Sequence, residues 1–494
     1  MSQTSPAADQ QPHKKHRESL YASRAKAYPR FLNSGLFRRL KWLATILTLA
    51  VFWIGPWLRW DRGLGAPHQA ILVDLPGRRA YFFFIEIWPQ EVYYLTGLLI
   101  IAALFLFFMS AMLGRVWCGF ACWQTVFTDL FVWIERLFQG ERNARMQLDH
   151  APMSANKFLR KGATIVSWVV IAMAFGFGFT LYFDNAPTLV HNFFTGQAGL
   201  MQYVTMGVLS FFCFLLAGFA RENVCIYMCP YARFQAAMFD EHSMIVSYEA
   251  WRGEPRGVVR GGIQGRDPQE VFKDRGHCVD CKMCIQACPT GIDIRDGSQL
   301  ACIGCALCID ACNSVMDRFG LPRGLISYDS VYNQQARSVG DTTSRTKVLR
   351  PRVYGYLTVI TLVCSAMIYV FATRKTFDVS ALHERSPVYV MLSGGKLRNG
   401  YVVKVLNMMH KDGHFKLVLE GLPQATMSVI GQDTAAATSV TLPVPPDSVG
   451  TFHMFITVPG NQLTGPSMPV TMKVTDEDTG KVVSHNNIFA GPGA

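Results

Sequence analysis

The sequence predicts a membrane α-helical bundle with five transmembrane helices, a cysteine-rich insertion and a C-terminal all-β domain. Three observations predict this architecture. Five apolar stretches are each long enough to cross a bilayer, eight of the fourteen cysteines fall between positions 278 and 312, and the last part of the chain consists of short strand-like runs separated by turn residues.

Composition supports a chain that is part membrane and part soluble. Its 494 residues are 50% hydrophobic and 12% aromatic, and the mean hydropathy is +0.18. This is too apolar for an ordinary soluble protein and too polar for a bare membrane bundle. The net charge is +12, but basic residues concentrate in the N-terminal tail and in loops beside apolar segments. We therefore expect no nucleic-acid binding.

The five apolar stretches carry few charges, and the middle three carry none. A helix needs about 20 residues to cross a bilayer. The predicted spans are Leu40–Trp60, Val92–Gly114, Gly162–Phe183, Gly199–Ala220 and Val353–Thr373.

Loop charges predict the orientation of these spans. The tail, the loop after the second span and the segment 221–352 are rich in Lys and Arg, whereas the loop from Asp184 to Thr195 has neither. By the positive-inside rule the N-terminus and the cysteine-rich insertion are cytoplasmic, and everything after the fifth span is outside. The arginines of the loop 58–91 depart from this rule. No cysteine occurs in a predicted outer segment, which agrees with an oxidising exterior.

The cysteine-rich insertion contains two copies of one spacing. Each copy reads Cys-x2-Cys-x2-Cys-x3-Cys, which is typical of a bacterial-type 2[4Fe-4S] ferredoxin domain. In that pattern the fourth cysteine of each run ligates the other cluster. We expect one cluster on Cys278, Cys281, Cys284 and Cys312, and the other on Cys302, Cys305, Cys308 and Cys288. Zinc and disulfides are weaker interpretations, because zinc does not need the third cysteine and a cytoplasmic segment is reducing.

Two more cysteine pairs lie just after the second and fourth spans. Cys118 and Cys122 form one Cys-x3-Cys, Cys225 and Cys229 form the other, and a Phe follows the second cysteine by five positions in both. The arrangement indicates an internal repeat of a helix-hairpin unit. An i,i+4 pair would place both thiols on one helix face. Four convergent thiolates suit Cu(I), although a dithiol relay or simple packing remain alternatives.

The C-terminal region predicts about seven short strands. Alternating runs such as Tyr401–Leu406 and His414–Leu419 are bounded by turn residues, and Asn399-Gly400 and Asp412-Gly413 are turn signals. This number of strands in this length favours an immunoglobulin-like sandwich.

These motifs resemble the membrane-bound polyferredoxins, and more narrowly the cytochrome c oxidase accessory proteins of the CcoG/FixG/RdxA family. The resemblance extends from about residue 30 to the C-terminus. In place of a Pro that the family tends to have after the second thiol, this chain has Trp123, which bears on whether the helix breaks there. The matching segments are 116–122, 124–127, 222–235, 278–297 and 302–312, with Val315-Met316.

The resemblance implies a multi-pass protein of the bacterial inner membrane with two [4Fe-4S] clusters and a periplasmic Ig-like domain. It also implies reduction of Cu(II) to Cu(I) for assembly of a cbb3-type cytochrome c oxidase. On this hypothesis copper binds the four thiols, which serve as catalytic and metal-binding residues: Cys118, Cys122, Cys225 and Cys229.

Two other functions stay open. A quinol-linked electron-transfer subunit would need a polar residue at a quinone pocket, for which Glu86, Asp129 and His191 are candidates. A copper chaperone or assembly scaffold would need no redox cycle. Expected partners are membrane lipid, copper chaperones or oxidase assembly components, and a cytoplasmic electron donor of unknown identity; a homodimer is compatible with the sequence.

The predicted domains follow the chain. They are a basic cytoplasmic tail (1–39), a four-helix membrane domain (40–240), the ferredoxin domain (241–350), the fifth transmembrane helix (351–375) and the periplasmic Ig-like domain (376–494).

Overall fold

A computed structural model describes residues 27–63, 66–259, 271–341, 346–409, 411–422, 424–431, 437–463 and 465–492. Most of the predicted basic tail, residues 1–26, lies outside these ranges. Within them, five helices are long and apolar enough to cross a membrane, which confirms the predicted bundle. They are Leu36–Trp57, Pro89–Leu113, Ala155–Thr180, Leu200–Ala220 and Pro351–Ala372.

The helices of the described residues include the five predicted spans, whose ends lie within seven residues of the predicted bounds, with the largest difference at Ala155 against the predicted Gly162. In chain order they are α1 Leu36–Ile54, α2 Tyr93–Leu113, α3 Val116–Phe120, α4 Trp123–Gln139, α5 Arg142–His150, α6 Ala155–Thr180, α7 Ala186–Phe194, α8 Leu200–Cys213, α9 Pro230–Ala237, α10 Ala250–Gly253, α11 Met283–Ala287, α12 Leu307–Arg318, α13 Val331–Ser338 and α14 Pro351–Ala372. Two π-helical segments, Phe214–Ala220 and Val224–Met228, follow α8.

The strands form four antiparallel sheets. The bounds are β1 Ile71–Asp74, β2 Arg79–Phe82, β3 Ile85–Ile87, β4 Ile245–Tyr248, β5 Ile326–Asp329, β6 Phe377–His383, β7 Val390–Leu392, β8 Lys396–Asn407, β9 Gly413–Glu420, β10 Thr426–Val429, β11 Ser439–Val444, β12 Ser448–Pro459, β13 Ser467–Asp476 and β14 Val482–Ala490.

The chain divides into two compact units. The first comprises Met1–Pro56 and Leu98–Ile360, and the second Trp57–Gly97 and Thr361–Ala494. In the first unit, aromatic side chains of α4 and α6 form a buried cluster, in which Phe131 stacks on Trp168 at 5.3 Å between ring centroids. A separate core, around Cys278, Ile309 and Met316, lies within the cysteine-rich insertion.

A side chain of the insertion caps the N-terminus of α1. The Asp310 carboxylate on α12 accepts the Arg38 backbone N–H at 2.8 Å, which satisfies one of the free N–H groups at the start of a helix. Gly35 precedes the helix with φ 140°. A Cβ there would lie 2.3 Å from the Asp310 carboxyl carbon, so only glycine allows this approach.

In the second unit the predicted Ig-like sandwich is confirmed, with more strands than predicted. One sheet has the order β10-β12-β8-β6 with β7 also paired to β8, and the other has the order β11-β9-β13-β14. Large apolar residues of both sheets, including Tyr401, Phe415 and Phe489, fill the core between them. The sequence had not indicated β6, β10 or β14, nor the small sheet β1–β3 in the loop 58–91.

The predicted turn at Asn399-Gly400 is wrong. Both residues lie inside β8, where Gly400 pairs with Phe455 of β12. Asn399 is fully buried and its amide lies 3.1 Å from the His383 ring. Burial in the sheet therefore overrides the local turn preference, whereas Asp412-Gly413 does lie where the β8–β9 turn ends, with Gly413 as the first residue of β9.

Candidate electron-transfer and thiol site

The eight cysteines of the insertion surround two neighbouring cavities. The first, of about 350 Å³, is lined by Cys278, Cys281, Cys284 and Cys312. The second, of about 340 Å³, is lined by Cys288, Cys302, Cys305 and Cys308, with Cys284 on its wall. Each cavity thus contains the four thiols that the ferredoxin pattern assigns to one cluster, including the cysteine contributed by the other run.

Backbone conformation repeats between the two cavities. Left-handed residues flank the second cysteine of each run: Asp280 and Lys282 around Cys281, and Gly304 and Ala306 around Cys305, with φ between 49° and 69°. Successive turns of this kind direct N–H groups toward a common centre and favour an anionic group there. The thiolate-ligated clusters are such anionic groups, so the loops fit them.

Burial makes the bare thiolates unfavourable. It raises the pKa of Cys305 to about 12 and that of Cys312 to about 12, in both cases chiefly by desolvation. Buried thiols with raised pKa values stay protonated unless a metal binds them. Buried thiols with raised pKa values are suited to be metal ligands, and they differ in this respect from reactive surface cysteines.

The Cys-x3-Cys pairs share an unusual backbone as well as a spacing. In each, the residue four before the first cysteine has a positive φ: Gly114 at 60° and Arg221 at 43°. In each, the N–H of the second cysteine donates to the residue five positions earlier, from Cys122 to Trp117 at 2.9 Å and from Cys229 to Val224 at 2.8 Å. The repeat inferred from sequence therefore extends to local structure.

The second cysteine of each pair leaves the helix, which corrects the expectation of two thiols on one helix face. Cys122 has φ −63° and ψ 128° and precedes α4, while Cys229 has φ −80° and ψ 111° and precedes α9. The break at Cys122 occurs although Trp123 stands where Pro230 stands in the other pair. Trp123 instead packs edge-on against Phe52 at 5.2 Å, so tertiary contacts replace the proline.

Each repeat also fastens the span that leads to the other. The Gln124 amide, two residues after Cys122, donates to Leu216 O at 2.8 Å and Arg221 O at 3.2 Å. The Tyr231 hydroxyl, two residues after Cys229, lies 3.2 Å from Leu106 O and 3.1 Å from the Ser110 hydroxyl. These reciprocal bonds add side-chain donors to carbonyls that include Leu216 O, which also accepts the Arg221 N–H at 2.7 Å.

The first Cys-x3-Cys lies directly against the loop of the second cavity. A Cβ at Gly119 would lie 2.9 Å from the Cys305 Cα. Buried Arg115 donates to Cys302 O at 2.8 Å and also to Leu300 O and Ala232 O. Cys118 and Cys225 both pack against the cluster of Ile303, Cys305 and Leu307. Thiols from both repeats thus contact the loop that carries Cys305.

The four thiols share one electrostatic environment. Burial raises the pKa of Cys118 to about 12, and the neighbouring thiols of Cys122, Cys225 and Cys229 act in the same direction against Arg115. The Cys118 thiol donates to the Gln235 amide oxygen at 3.2 Å. Nevertheless, in the part of the chain that the structure describes, no group of three or more His, Cys, Asp or Glu side chains is placed to hold a single metal ion.

The structure adds residues that sequence reasoning missed. Arg115, Gly119, Gln124 and Gln235 hold or contact the thiol repeats. All but Arg115 lie in the segments that carry the family resemblance, but the sequence assigned a role to none of the four. Among the predicted quinone candidates, Asp129 is 13% exposed and lies beside Arg38, Glu86 is buried beside Arg79 in the second unit, and His191 is exposed on α7.

Five membrane-capable helices and two cysteine-lined cavities define a multi-pass membrane polyferredoxin, an iron–sulfur electron-transfer protein. Three domain families match the chain: a 4Fe-4S dicluster domain over residues 220–331, a 4Fe-4S binding domain over residues 95–140, and the Ig-like fold at the C-terminus of FixG over residues 367–492. The chain belongs to the FixG/RdxA family.

Curated relatives match almost end to end. The chain is 42% identical to nitrogen fixation protein FixG of Rhizobium meliloti, over 90% of this chain and 88% of that one. It is 42% identical to protein RdxB of Cereibacter sphaeroides, over 96% and 98%. A crystal structure of a FixG-related protein from Vibrio parahaemolyticus covers 24% of this chain and 97% of its own, with 19% identity and a TM-score of 0.20.

Proposed function

We propose that this protein is a cupric reductase that converts Cu(II) to Cu(I) at the cytoplasmic face of the inner membrane. The observation that carries the proposal is the contact of Cys118 and Cys225 with the Ile303–Leu307 loop. One-electron reduction of a thiol-bound ion requires the ion to lie close to the cluster that supplies the electron. Here thiols from two repeats contact the loop that carries a cluster ligand.

The ferredoxin cysteines serve as cluster ligands in this proposal. Cys278, Cys281, Cys284 and Cys312 hold one cluster, and Cys302, Cys305, Cys308 and Cys288 hold the other. When bound, the two [4Fe-4S] clusters supply one-electron transfer. Arg115 keeps the Cys302 carbonyl beside α9, and Gly119 lets the thiol helix reach the Cys305 backbone. These residues set the distance between the thiols and the loop.

Copper is the substrate, and the membrane-face cysteines are its binding groups. Soft thiolates favour Cu(I) over Cu(II), so Cys118, Cys122, Cys225 and Cys229 stabilise the product of the reduction. Since the described side chains form no preformed site for a single ion, copper draws the thiols together when it binds. Each thiol that ligates copper must release its proton, so binding releases protons to the medium.

The test distinguishes the contribution of the membrane-face thiols to copper reduction from that of the clusters. The purified protein is reduced anaerobically with dithionite, the excess is removed, and Cu(II) is added with a Cu(I)-specific indicator while the iron–sulfur absorbance is followed. We expect the absorbance to return to its oxidised form as Cu(I) appears. The variant with all four membrane-face cysteines changed to Ser is expected to keep its iron–sulfur spectrum and to lose both changes.

A matched control uses a cysteine outside the proposed site. Cys213 packs in the aromatic core of the first unit, and Cys213→Ser is expected to leave copper reduction unchanged. Retained copper stoichiometry in the four-cysteine variant would refute the thiol site. A copper-binding protein whose reduced clusters ignore Cu(II) would instead support the chaperone or scaffold interpretation.

The cellular role follows from the family resemblance. We propose that the Cu(I) serves assembly of a cbb3-type oxidase, that copper chaperones or oxidase assembly components are partners, and that the Ig-like domain is periplasmic. A cysteine-accessibility scan tests the orientation: a single cysteine introduced at exposed Asn486 should react with a membrane-impermeant maleimide in intact spheroplasts.

A further inference from the structure

A further cavity in the first unit, distinct from the two cysteine-lined cavities, lies between α1, α4 and the insertion. It encloses about 700 Å³, part of it open to solvent. Apolar walls come from Phe31, Leu32, Val132 and Ile303, and Cys225 lines one side. A mostly apolar cavity with a few convergent polar groups is the usual form of a small-molecule site.

This cavity also borders a predicted cluster ligand. Ala287, Pro289 and Thr290 of its lining surround Cys288 in the chain, and the Thr290 hydroxyl lies 3.2 Å from the Cys288 sulfur. A ligand here would lie between the Cys288 loop and Cys225. Its position is therefore suited to exchange electrons with the cluster that Cys288 helps to hold.

Arg38 supplies hydrogen-bond donors that the described residues do not use. Its side chain is 5% exposed and its Nη1 donates to both Asp129 carboxylate oxygens at 3.0 Å. Its Nε and Nη2 are buried and have no hydrogen-bond partner among the described residues. The Phe31 ring lies 4.1 Å from the guanidinium carbon. Buried donors without acceptors are costly, so an acceptor oxygen from a ligand would satisfy them.

Most charged groups of the lining are already paired. Asp129 lies 3.0 Å from Arg38 and 3.4 Å from Lys41, and Arg221 pairs with Glu135 at 3.2 Å, while Arg30 and Glu222 complete the charged lining. A carbonyl oxygen needs no further charge and would accept from the free guanidinium donors of Arg38. A planar apolar body with carbonyl oxygens meets both the walls and the donors.

We propose that this cavity binds a quinone-class molecule and that its hydroquinone form is the electron donor, an inference that rests on the reductase function proposed above. The hydroquinone loses two electrons and two protons and becomes the quinone. When bound by the eight cysteines of the insertion, the two [4Fe-4S] clusters would accept one electron each, and the protons pass to water through the carboxylates of Asp129 and Glu222. The two electrons from one hydroquinone would suffice to reduce two Cu(II) ions to Cu(I).

The test measures binding and electron entry separately, without copper. An aryl-azide derivative of a short-chain ubiquinone is photolysed with the full-length oxidised protein, and labelled peptides are identified by mass spectrometry. We expect labels within 27–41 and 124–132, and competition by duroquinone. In parallel, duroquinol is added anaerobically and reduction of the iron–sulfur absorbance is followed.

Two variants and one control test the residues. Arg38→Gln removes the free donors and should weaken duroquinone competition about tenfold, as expected for loss of one to two hydrogen bonds. Val132→Phe narrows the cavity without changing its charge and should abolish labelling even if the Arg38 variant folds poorly. Arg39→Gln changes the exposed neighbour on α1 and should behave as the native protein. Iron–sulfur absorbance checks folding in each case.

The outcomes are distinguishable from those of the reductase test. If the aryl-azide quinone does not label the protein and duroquinol does not reduce it, while dithionite-reduced protein still reduces Cu(II), the quinone site is refuted and the reductase stands. If duroquinol reduces the clusters but they ignore Cu(II), the site stands and the reductase falls. A tightly retained phospholipid that duroquinone cannot displace, released only by Arg38→Gln, would also refute the quinone site.

Discussion

Gly119 of the first thiol repeat lies against the backbone of Cys305 in the insertion. A Cβ built on Gly119 would come within 2.9 Å of the Cys305 Cα and of its backbone nitrogen. Neither partner can move as a flexible side chain can, so the contact joins two rigid pieces of backbone. It fixes how closely the membrane-face thiols approach the loop of the second cavity.

Gly119→Ala is therefore expected to force the two backbones apart. Overpacking of this kind costs about 1–3 kcal/mol, and we expect the loop around Cys305 to hold its cluster less tightly. The iron-to-protein ratio should fall toward the value for one cluster, as measured by colorimetric iron analysis. Gly207→Ala on α8 is the control, because its added Cβ meets no described atom within 4 Å; equal iron content in both variants would contradict the prediction.

Arg221 has φ 43° and ψ −118°, a conformation strained for any residue except glycine. Its guanidinium pairs with Glu135 at 3.2 Å. Arg221→Ala and Arg221→Gly both lose this pair, but only Gly relieves the backbone. We expect Arg221→Gly to be more stable than Arg221→Ala by about 1 kcal/mol. Apparent melting temperatures in detergent measure the difference, and a lower value for the Gly variant would exclude backbone strain.

Asp129 is expected to make the protein acid-sensitive. Burial opposes ionisation of Asp129, but Lys41 and Arg38 outweigh it and hold the pKa of its carboxyl below the ordinary value. A lowered folded-state pKa gives stability above the unfolded-state pKa of about 4 that is lost as pH falls through the folded value. Asp129→Asn leaves two buried cations uncompensated and should cost about 3–5 kcal/mol at pH 7.

The pH profile distinguishes charge from shape at this position. The stability difference between native protein and Asp129→Asn should shrink as pH falls from about 4 through the lowered folded-state pKa, because the unfolded carboxyl takes up its proton first and the native carboxyl becomes neutral only below that lower value. Melting temperatures over a pH series measure it. A difference that stays constant with pH would mean that the amide disturbs packing and that the carboxylate charge contributes little.

Asn407 joins two neighbouring turns at one end of the Ig-like sandwich, the β8–β9 turn and the β11–β12 turn. Its amide nitrogen donates to Lys411 O, Val444 O and Pro445 O at 2.9–3.2 Å, and it is fully buried. Asn407→Asp replaces this donor by an oxygen that faces carbonyl oxygens, which should cost about 2–5 kcal/mol. Hydrogen exchange of β8 and β9 should accelerate. Exposed Asn486→Asp is the control, and equal exchange in both variants would contradict the prediction.

Local patterns in the sequence were enough for the spans, the sandwich and the cluster motifs. Bilayer thickness dictates the length of an apolar run, and the cysteine spacing is a property of a few adjacent residues. The same local reasoning failed at Asn399-Gly400, where pairing of β8 with β12 overrides the turn preference. It also failed at Cys122, where the packing of Trp123 on Phe52 breaks the helix without a proline.

Contacts between segments that are far apart in the chain could not be predicted from the sequence. Arg115 and Gly119 look like ordinary loop residues until the Leu300–Cys305 loop lies on them. Arg38 looks like one of several tail cations, yet it alone on α1 combines burial with unused donors facing a cavity. No periodicity or spacing connects residues so far apart in the chain, so these parts of the site required the three-dimensional structure.

The Asp310 carboxylate that completes α1 has a consequence for biogenesis. Asp310 lies 272 residues after Arg38, so at about 5–20 residues per second the ribosome makes it roughly 15–55 s later. The first helix must enter the bilayer with its leading N–H groups still hydrated. The first turn of this helix reaches its final hydrogen-bonded form only after the insertion has been made and has folded onto it. Folding of the insertion therefore limits when the helix that was inserted first is complete.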